Sequence, residues 1–127
     1  MVMAMPTVDV AEPSLVDLVD QWVTVPDLAK RTGVEVSRVR RMLTDGEVLA
    51  LRAASVLQIP ELFLLDGLPL PELKGTLSVL SDAGFRPAEA VAWLFTTDDT
   101  LVGGRPIDAL RAGRKTEVRR RAQAMAL

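Results

Sequence analysis

Between Val23 and Val48 the apolar residues Leu28, Ala29, Val34, Val39, Met42 and Leu43 fall into two short groups at helical spacing, with Gly33 between them. Apolar positions that recur every three or four residues mark amphipathic helices, and a glycine between two such runs permits a sharp corner. The stretch VTVPDLAKRTGVEVSRVRRMLTDGEV therefore predicts a helix-turn-helix. Its first helix starts at Thr24 as N-cap, has Pro26 and Asp27 in the opening turn, and ends near Thr32. On the second helix, a step of about 100° per residue puts Val36, Val39, Met42 and Leu43 on one side. Ser37, Arg40, Arg41 and Thr44 lie on the other, with Arg38 at the flank. Three arginines on one helix face suit a recognition helix, because a guanidinium can fork onto a guanine edge or a phosphate. The plainer reading of such a face is a solvated basic surface. The preceding helix and turn favour DNA.

The rest of the pattern is read outward from that motif. Met1 to Pro13 shows no periodicity and reads as a mobile arm. Ser14 precedes Leu15, Leu18 and Trp22 at helical spacing and is expected to cap a short helix. Thr7, the other hydroxyl of this region, is a phosphorylation candidate, since a dianionic phosphate on an arm could compete with DNA for the arginines. After the recognition helix, Asp45-Gly46 signals a turn, and Val48 to Arg52 and Ser55 to Ile59 read as two short strands forming a wing. Leu65 to Pro71 reads as a linker. A helix opening at Pro71-Glu72 and running to about Ala83 carries Leu73, Leu77 and Leu80 and is closed by Gly84. Pro87 opens a largely apolar helix with Val91, Trp93, Leu94 and Phe95, where the aromatics read as core rather than as a ligand pocket. Thr96 to Thr100 is acidic, but Asp98-Asp99 without spaced partners reads as a solvated turn, not a metal site. Pro106 starts a further helix, and a last one runs from Arg114 to Ala126 with Val118, Ala122 and Met125 as its stripe. Arg119, Arg120 and Arg121 lie outside that stripe. They suit DNA phosphates and the C-terminal half of a helix equally well.

Composition narrows the function class. The chain has 127 residues, 49% hydrophobic and 25% charged, which suits one compact domain or two very small ones. No apolar run reaches membrane-spanning length and the start lacks a signal leader, so the expected location is the cytoplasm and nucleoid, without membrane association. With no cysteine and no histidine, disulfides, thiol nucleophiles, Ser-His-Asp triads and common zinc sites are excluded, leaving little support for an enzyme and no cofactor to expect. The net charge of -2 and pI of about 5.1 argue against a nucleic-acid binder until the distribution is considered. Residues 30 to 52 carry six bases against three acids, and 105 to 127 carry seven against two. Positive charge is thus concentrated in two blocks, one of them the recognition helix.

The order helix, turn, helix, hairpin, then IPELFL resembles the excisionase and mercury-resistance-regulator type of winged helix-turn-helix. TVPDLAKRTGV, VRRMLTDGEVLALR and IPELFL all have counterparts there, over about residues 22 to 65. Two departures stand out. Where that family places glycines and a basic residue at the wing tip this chain has AASVL, leaving Arg52 for the DNA backbone. Glu35 occupies the N-cap of the recognition helix, where Ser or Thr is usual. From Trp93 onward, WLFTTDDTLVGGRPIDALRAGRKTEVRRRAQAMAL, joined to this winged part, resembles actinobacterial DNA-binding proteins described in mycobacteria as substrates of a serine/threonine kinase. The tail is also similar, over a shorter stretch, to the toxin-binding domain of antitoxins paired with NAD-degrading toxins.

The resemblance implies a mainly α fold: a winged helix-turn-helix with a short β-hairpin wing and a C-terminal helical region. Residues 1–13 are expected to form the arm, 14–65 the DNA-binding domain and 66–127 a helical domain packed on it. The implied activity is double-stranded DNA binding, as a transcriptional regulator or nucleoid-associated protein. Ser37, Arg38, Arg40, Arg41 and Thr44 would face the major groove, with Arg52 on the backbone. The resemblance implies DNA and a Ser/Thr protein kinase as partners, with Thr7 the candidate modification site read from the arm; a single module reads few base pairs, so a second copy or another protein bound through the C-terminal helices is also expected. The alternative function is an antitoxin-like or adaptor protein whose helical tail grips a protein.

Overall fold

A computed structural model describes residues 13–53 and 55–126. Helix α1 (Pro13–Leu18) leads into strand β1 (Trp22–Thr24), which runs directly into α2 (Val25–Thr32) and, after a turn, α3 (Val36–Thr44). Strands β2 (Leu51–Ala53) and β3 (Val56–Pro60) follow, then a 3-10 turn (Glu61–Phe63) and the short strands β4 (Leu64–Leu65) and β5 (Leu68–Pro69). The remainder is helical: α4 (Leu73–Asp82), α5 (Pro87–Phe95), a 3-10 turn (Val102–Gly104), α6 (Pro106–Arg111) and α7 (Lys115–Ala124).

The helix-turn-helix forms as its sequence dictates. Thr24 is extended, and its Oγ1 accepts a hydrogen bond from Asp27 N at 3.2 Å, satisfying one of the free donors of the first turn. Gly33 takes φ 75 at the corner, a left-handed value that a side chain would resist, and its N–H donates to Ala29 O. Thr32 staples the same corner: its hydroxyl donates to Leu28 O and accepts from Val34 N. Leu28, Ala29, Val39 and Met42 are buried where the two helices meet. Each full burial of such an aliphatic side chain stabilises by about 1.5–3 kcal/mol.

Three features differ from the sequence expectation. The first helix stops at Leu18, Ser14 lies within it rather than capping it, and Trp22 starts a strand instead of extending the helix. The cause is non-local: β3 supplies a partner, with Trp22 opposite Pro60, Val23 opposite Ile59 and Thr24 opposite Gln58. β-branched Val23 and Thr24 suit that pairing better than a helix. The wing is therefore the outer part of a three-stranded antiparallel sheet in the order β1-β3-β2. Its strands begin later than expected, β2 at Leu51, and Val48 is buried in the core instead.

The expected linker is a hairpin. β4 and β5 pair antiparallel across Asp66 and Gly67, at φ 54 and φ 81. Two left-handed central residues are what a tight two-residue hairpin turn requires, and Asp-Gly supplies them. This hairpin straddles the boundary expected between residues 65 and 66. A side chain at Gly67 would collide with Thr32, so the hairpin lies against the end of α2.

One core runs through the molecule. Phe63, after the wing, and Phe95, at the end of α5, are both buried with ring centroids 5.7 Å apart, while α4 packs on α7 and α5 on α6. Trp93 contacts Phe85 edge-on, ring centroids 6.2 Å apart, and both half-buried rings pack against the edge of that core.

Candidate nucleic-acid interface

The candidate surface is built on α3. Val39 is fully buried and Met42 nearly so, while Leu43 is half-buried, which turns the opposite side of the helix outward. Ser37, Arg38, Arg40, Arg41 and Thr44 are all exposed there. Val36, expected on the buried side, is 39% exposed. It occupies the first helical position, one turn before Arg40, where the core stripe has not yet begun. The spacing of Val36, Arg40 and Thr44 at i, i+4 and i+8 was the signal available for that placement.

The guanidinium groups of the α3 arginines make no hydrogen bond or ion pair to any described residue. Thr44 is different: its hydroxyl donates to Arg40 O at 3.1 Å, which leaves the oxygen lone pairs for a ligand. Glu35 precedes the helix in extended conformation without a side-chain cap. Its carbonyl instead accepts from Arg38 N and Val39 N. At the far end Asp45 N donates to Arg41 O and Gly46 takes φ 75, closing the helix.

The wing carries Arg52, which is exposed, and its Nη1 donates to Ser55 O at 3.3 Å across the wing turn. Ser55 takes φ 68 there, so the bend is made by a residue that must hold the left-handed region without being glycine. Arg52 thus braces the wing with one N–H, and its other N–H groups have no partner among the described residues. Thr7 lies outside the described residues.

Other bases are committed within the chain. Arg31, on α2, forms a two-pronged pair with Glu61 at 3.1 and 3.2 Å, which raises the arginine's pKa above its ordinary value. Of the last-helix arginines that were open to DNA or to helix support, two are taken. Arg119 donates to Thr76 Oγ1 at 3.1 Å and to Glu72 O at 2.9 Å, lying over Gly75, where a Cβ would strike its guanidinium. Arg121 bonds Asp98 and Thr100 and reaches Glu117 at 3.3 Å. Asp98, from the acidic loop, is held below the ordinary carboxylate range first by hydrogen bonds from Thr100 and then by Arg121. Arg120 remains exposed.

Arg105 ties the two halves together. It bonds Asp108 through Nε at 2.7 Å and Asp20 through Nη1 at 2.7 Å, and its guanidinium carbon stands 5.5 Å from the centroid of the Phe95 ring. Its hydrogen bond lowers the pKa of Asp20, and the two carboxylates raise that of Arg105, Asp108 foremost. Arg111 donates to Leu62 O and Leu64 O at 2.9 and 2.8 Å, satisfying carbonyls where the wing passes into the hairpin. Sequence reasoning missed these roles, because Asp20 lies 85 positions from Arg105, and the Leu62 and Leu64 carbonyls 49 and 47 from Arg111, separations that leave no local mark.

No described helix is long and apolar enough to cross a membrane. A family model described as "DNA-binding protein Rv2175c, wHTH domain" matches residues 7–64, and one described as "Rv2175c C-terminal domain of unknown function" matches residues 70–126. The DNA-binding protein Rv2175c of Mycobacterium tuberculosis is 40% identical over 114 residues, spanning 80% of this chain and 78% of the relative. The NMR structure of Rv2175c superposes with a TM-score of 0.74 at 38% identity, covering 84% of this chain and 82% of that one. With its helix-turn-helix, its sheet-anchored wing and its helical C-terminal part, the chain belongs to the Rv2175c family of winged helix-turn-helix proteins.

Proposed function

We propose that this protein binds double-stranded DNA by laying the outward face of α3 in the major groove, as a transcriptional regulator or nucleoid-associated protein in the cytoplasm. The observation that carries the reading is the state of Arg38, Arg40 and Arg41. All three are exposed on one helix face with no partner among the described residues, whereas Arg31, Arg105, Arg111, Arg119 and Arg121 all have one. The name of the mycobacterial relative supports it.

In this reading one or two of the α3 arginines fork onto guanine O6 and N7, and the others neutralise phosphates. Ser37 sits at the helix start, where a hydroxyl and free backbone N–H groups can fix register on a phosphate. Val36 offers an apolar contact suited to a thymine methyl group, and Thr44, its donor committed to Arg40 O, accepts from a base amino group. Arg52 reaches the DNA backbone from the wing. Residues 14–65 form the reader and 66–127 brace it. A single module reads few base pairs, so useful specificity calls for a homodimer or a partner protein. A kinase adding phosphate at Thr7 would weaken DNA binding by charge competition. Neither role requires catalysis.

The test is fluorescence anisotropy of a labelled random duplex across a salt series, for the native protein and for Arg40→Ala with Arg41→Ala. Binding should weaken with salt, and the double variant should lose affinity together with about one to two units of log-log slope, at about 0.9 per phosphate contact. Lost affinity at unchanged slope assigns these arginines to bases. Absence of native binding at low salt sinks the proposal.

A further inference from the structure

Away from the outward face of α3, an apolar cleft of about 390 Å³ lies between the end of the helix-turn-helix and the C-terminal helices. Leu43 and Leu49 line one wall, Leu77 and Phe85 the other, and all four are only half-buried, so each presents apolar surface that the core does not use. Its size is at the lower end of the range for small-molecule sites, which are typically apolar with a few convergent polar groups.

Those polar groups are unevenly placed. On α4, Lys74, Ser78 and Ser81 line the cleft at i, i+4 and i+7, forming one exposed stripe beside Leu77. None of the three side chains has a hydrogen bond or ion pair among the described residues. An ammonium and two hydroxyls thus stand along one rim with donors to spare. The charged group on the facing wall is Asp45, just past the end of α3. A ligand anion is therefore drawn to the α4 rim and repelled from the α3 side, while an apolar body fills the space between.

We propose that this cleft binds a small monocarboxylate with an apolar body, its carboxylate on Lys74 and Ser78 and its chain or ring against Leu43, Leu77 and Phe85. The site stands whether or not the protein binds DNA, and its test contains none. Phe85 touches Trp93, so the indole of Trp93 reports on the cleft while Trp22, on β1, serves as internal control.

Decanoate, decanol and decylamine are titrated into the full-length, isotope-labelled protein and followed by two-dimensional amide NMR. Decanoate should bind saturably, shift the Trp93 indole signal and amides of residues 43–49 and 74–90, and bind more tightly than decanol, with decylamine weakest. Lys74→Ala should weaken decanoate about tenfold and leave decanol unchanged. Ser78→Trp, at an exposed helical position, should block both by filling the cleft; if that variant does not fold, the Lys74→Ala comparison decides alone. No saturable binding up to millimolar decanoate overturns the proposal. So do equal affinities for the three probes, shifts outside the cleft, or line broadening of cleft residues that grows with protein concentration without ligand, which would make the face a contact between copies.

Discussion

Arg38, Arg40 and Arg41 on α3 leave their guanidinium groups in solvent, whereas Arg105, Arg111, Arg119 and Arg121 each end on an oxygen of the chain itself. By charge alone the two basic blocks look alike, and the C-terminal one carries more positive charge. The difference lies in what surrounds them. Around the C-terminal block, Leu62 O before the hairpin, Glu72 O at the start of α4, Asp98 in the loop after α5 and Asp108 within α6 all lie within reach. A planar guanidinium with five donors satisfies several such acceptors at once, so these arginines act as cross-links. On α3 the buried side is apolar and the arginine side chains are exposed, with no acceptor for them among the described residues. Net positive charge in a segment thus says little about nucleic acid until its internal partners are known.

Removing a cross-link should cost stability, and removing an α3 arginine should cost affinity. The largest effect is expected for Arg105→Met, which strands Asp108 and Asp20 and loses the contact with Phe95. A loss of about 2–3 kcal/mol in urea denaturation is expected, with DNA affinity of the folded protein retained. Its pH dependence has a definite sign. The folded pKa of Asp20 is lowered by Arg105, so the stability linked to Asp20 is fully present above the unfolded value of about 3.9 and is lost as pH falls through the folded value. The gap between native protein and Arg105→Met should accordingly be constant near neutrality and narrow in acid below about pH 4. A gap that widens in acid would contradict the pairing.

Smaller changes sharpen the contrast. Thr76 is fully buried, with its hydroxyl donating to Glu72 O and accepting from Arg119 Nε. Thr76→Val keeps the shape and leaves Arg119 Nε without that acceptor, which should cost about 1–2 kcal/mol. Thr24→Ala removes the cap of α2 and should cost about 1 kcal/mol. Arg38→Ala is expected to change stability by less than about 0.5 kcal/mol, yet to weaken duplex binding. Arg120→Ala, exposed on α7, should alter neither unfolding nor the salt slope of DNA binding; a reduced slope would extend the DNA face to the C-terminal helices.

Much of the helix-turn-helix was legible because it is local. Thr24, Gly33 and the stripe of Val39 and Met42 act within one helical turn of where they stand, and each is found in its expected role. Val36 was misplaced because it stands at the edge of the buried face, between Leu43 on one side and Arg40 and Thr44 on the other, and at the first helical position, where the core stripe has not yet begun. Trp22 was misread because Leu15, Leu18 and Trp22 satisfy a helical period, while β3, more than thirty residues later, pulls the segment into a sheet. Asp66-Gly67 was legible as a turn, and only the pairing of Leu64 with Pro69 made it a hairpin.

By itself the sequence determined the helix-turn-helix, the order of wing and C-terminal helices, the arginine face of α3 and the absence of thiol and imidazole chemistry. These follow from composition and from spacings of a few residues, where the backbone's own periodicity does the selecting. Only the tertiary structure decided that β1 anchors the wing, that Arg105 joins Asp20 to Asp108, and that four of the seven bases in the second block are bonded inside the molecule. Each of these joins residues far apart in the chain. Such pairings depend on how the elements pack, and no local pattern records them.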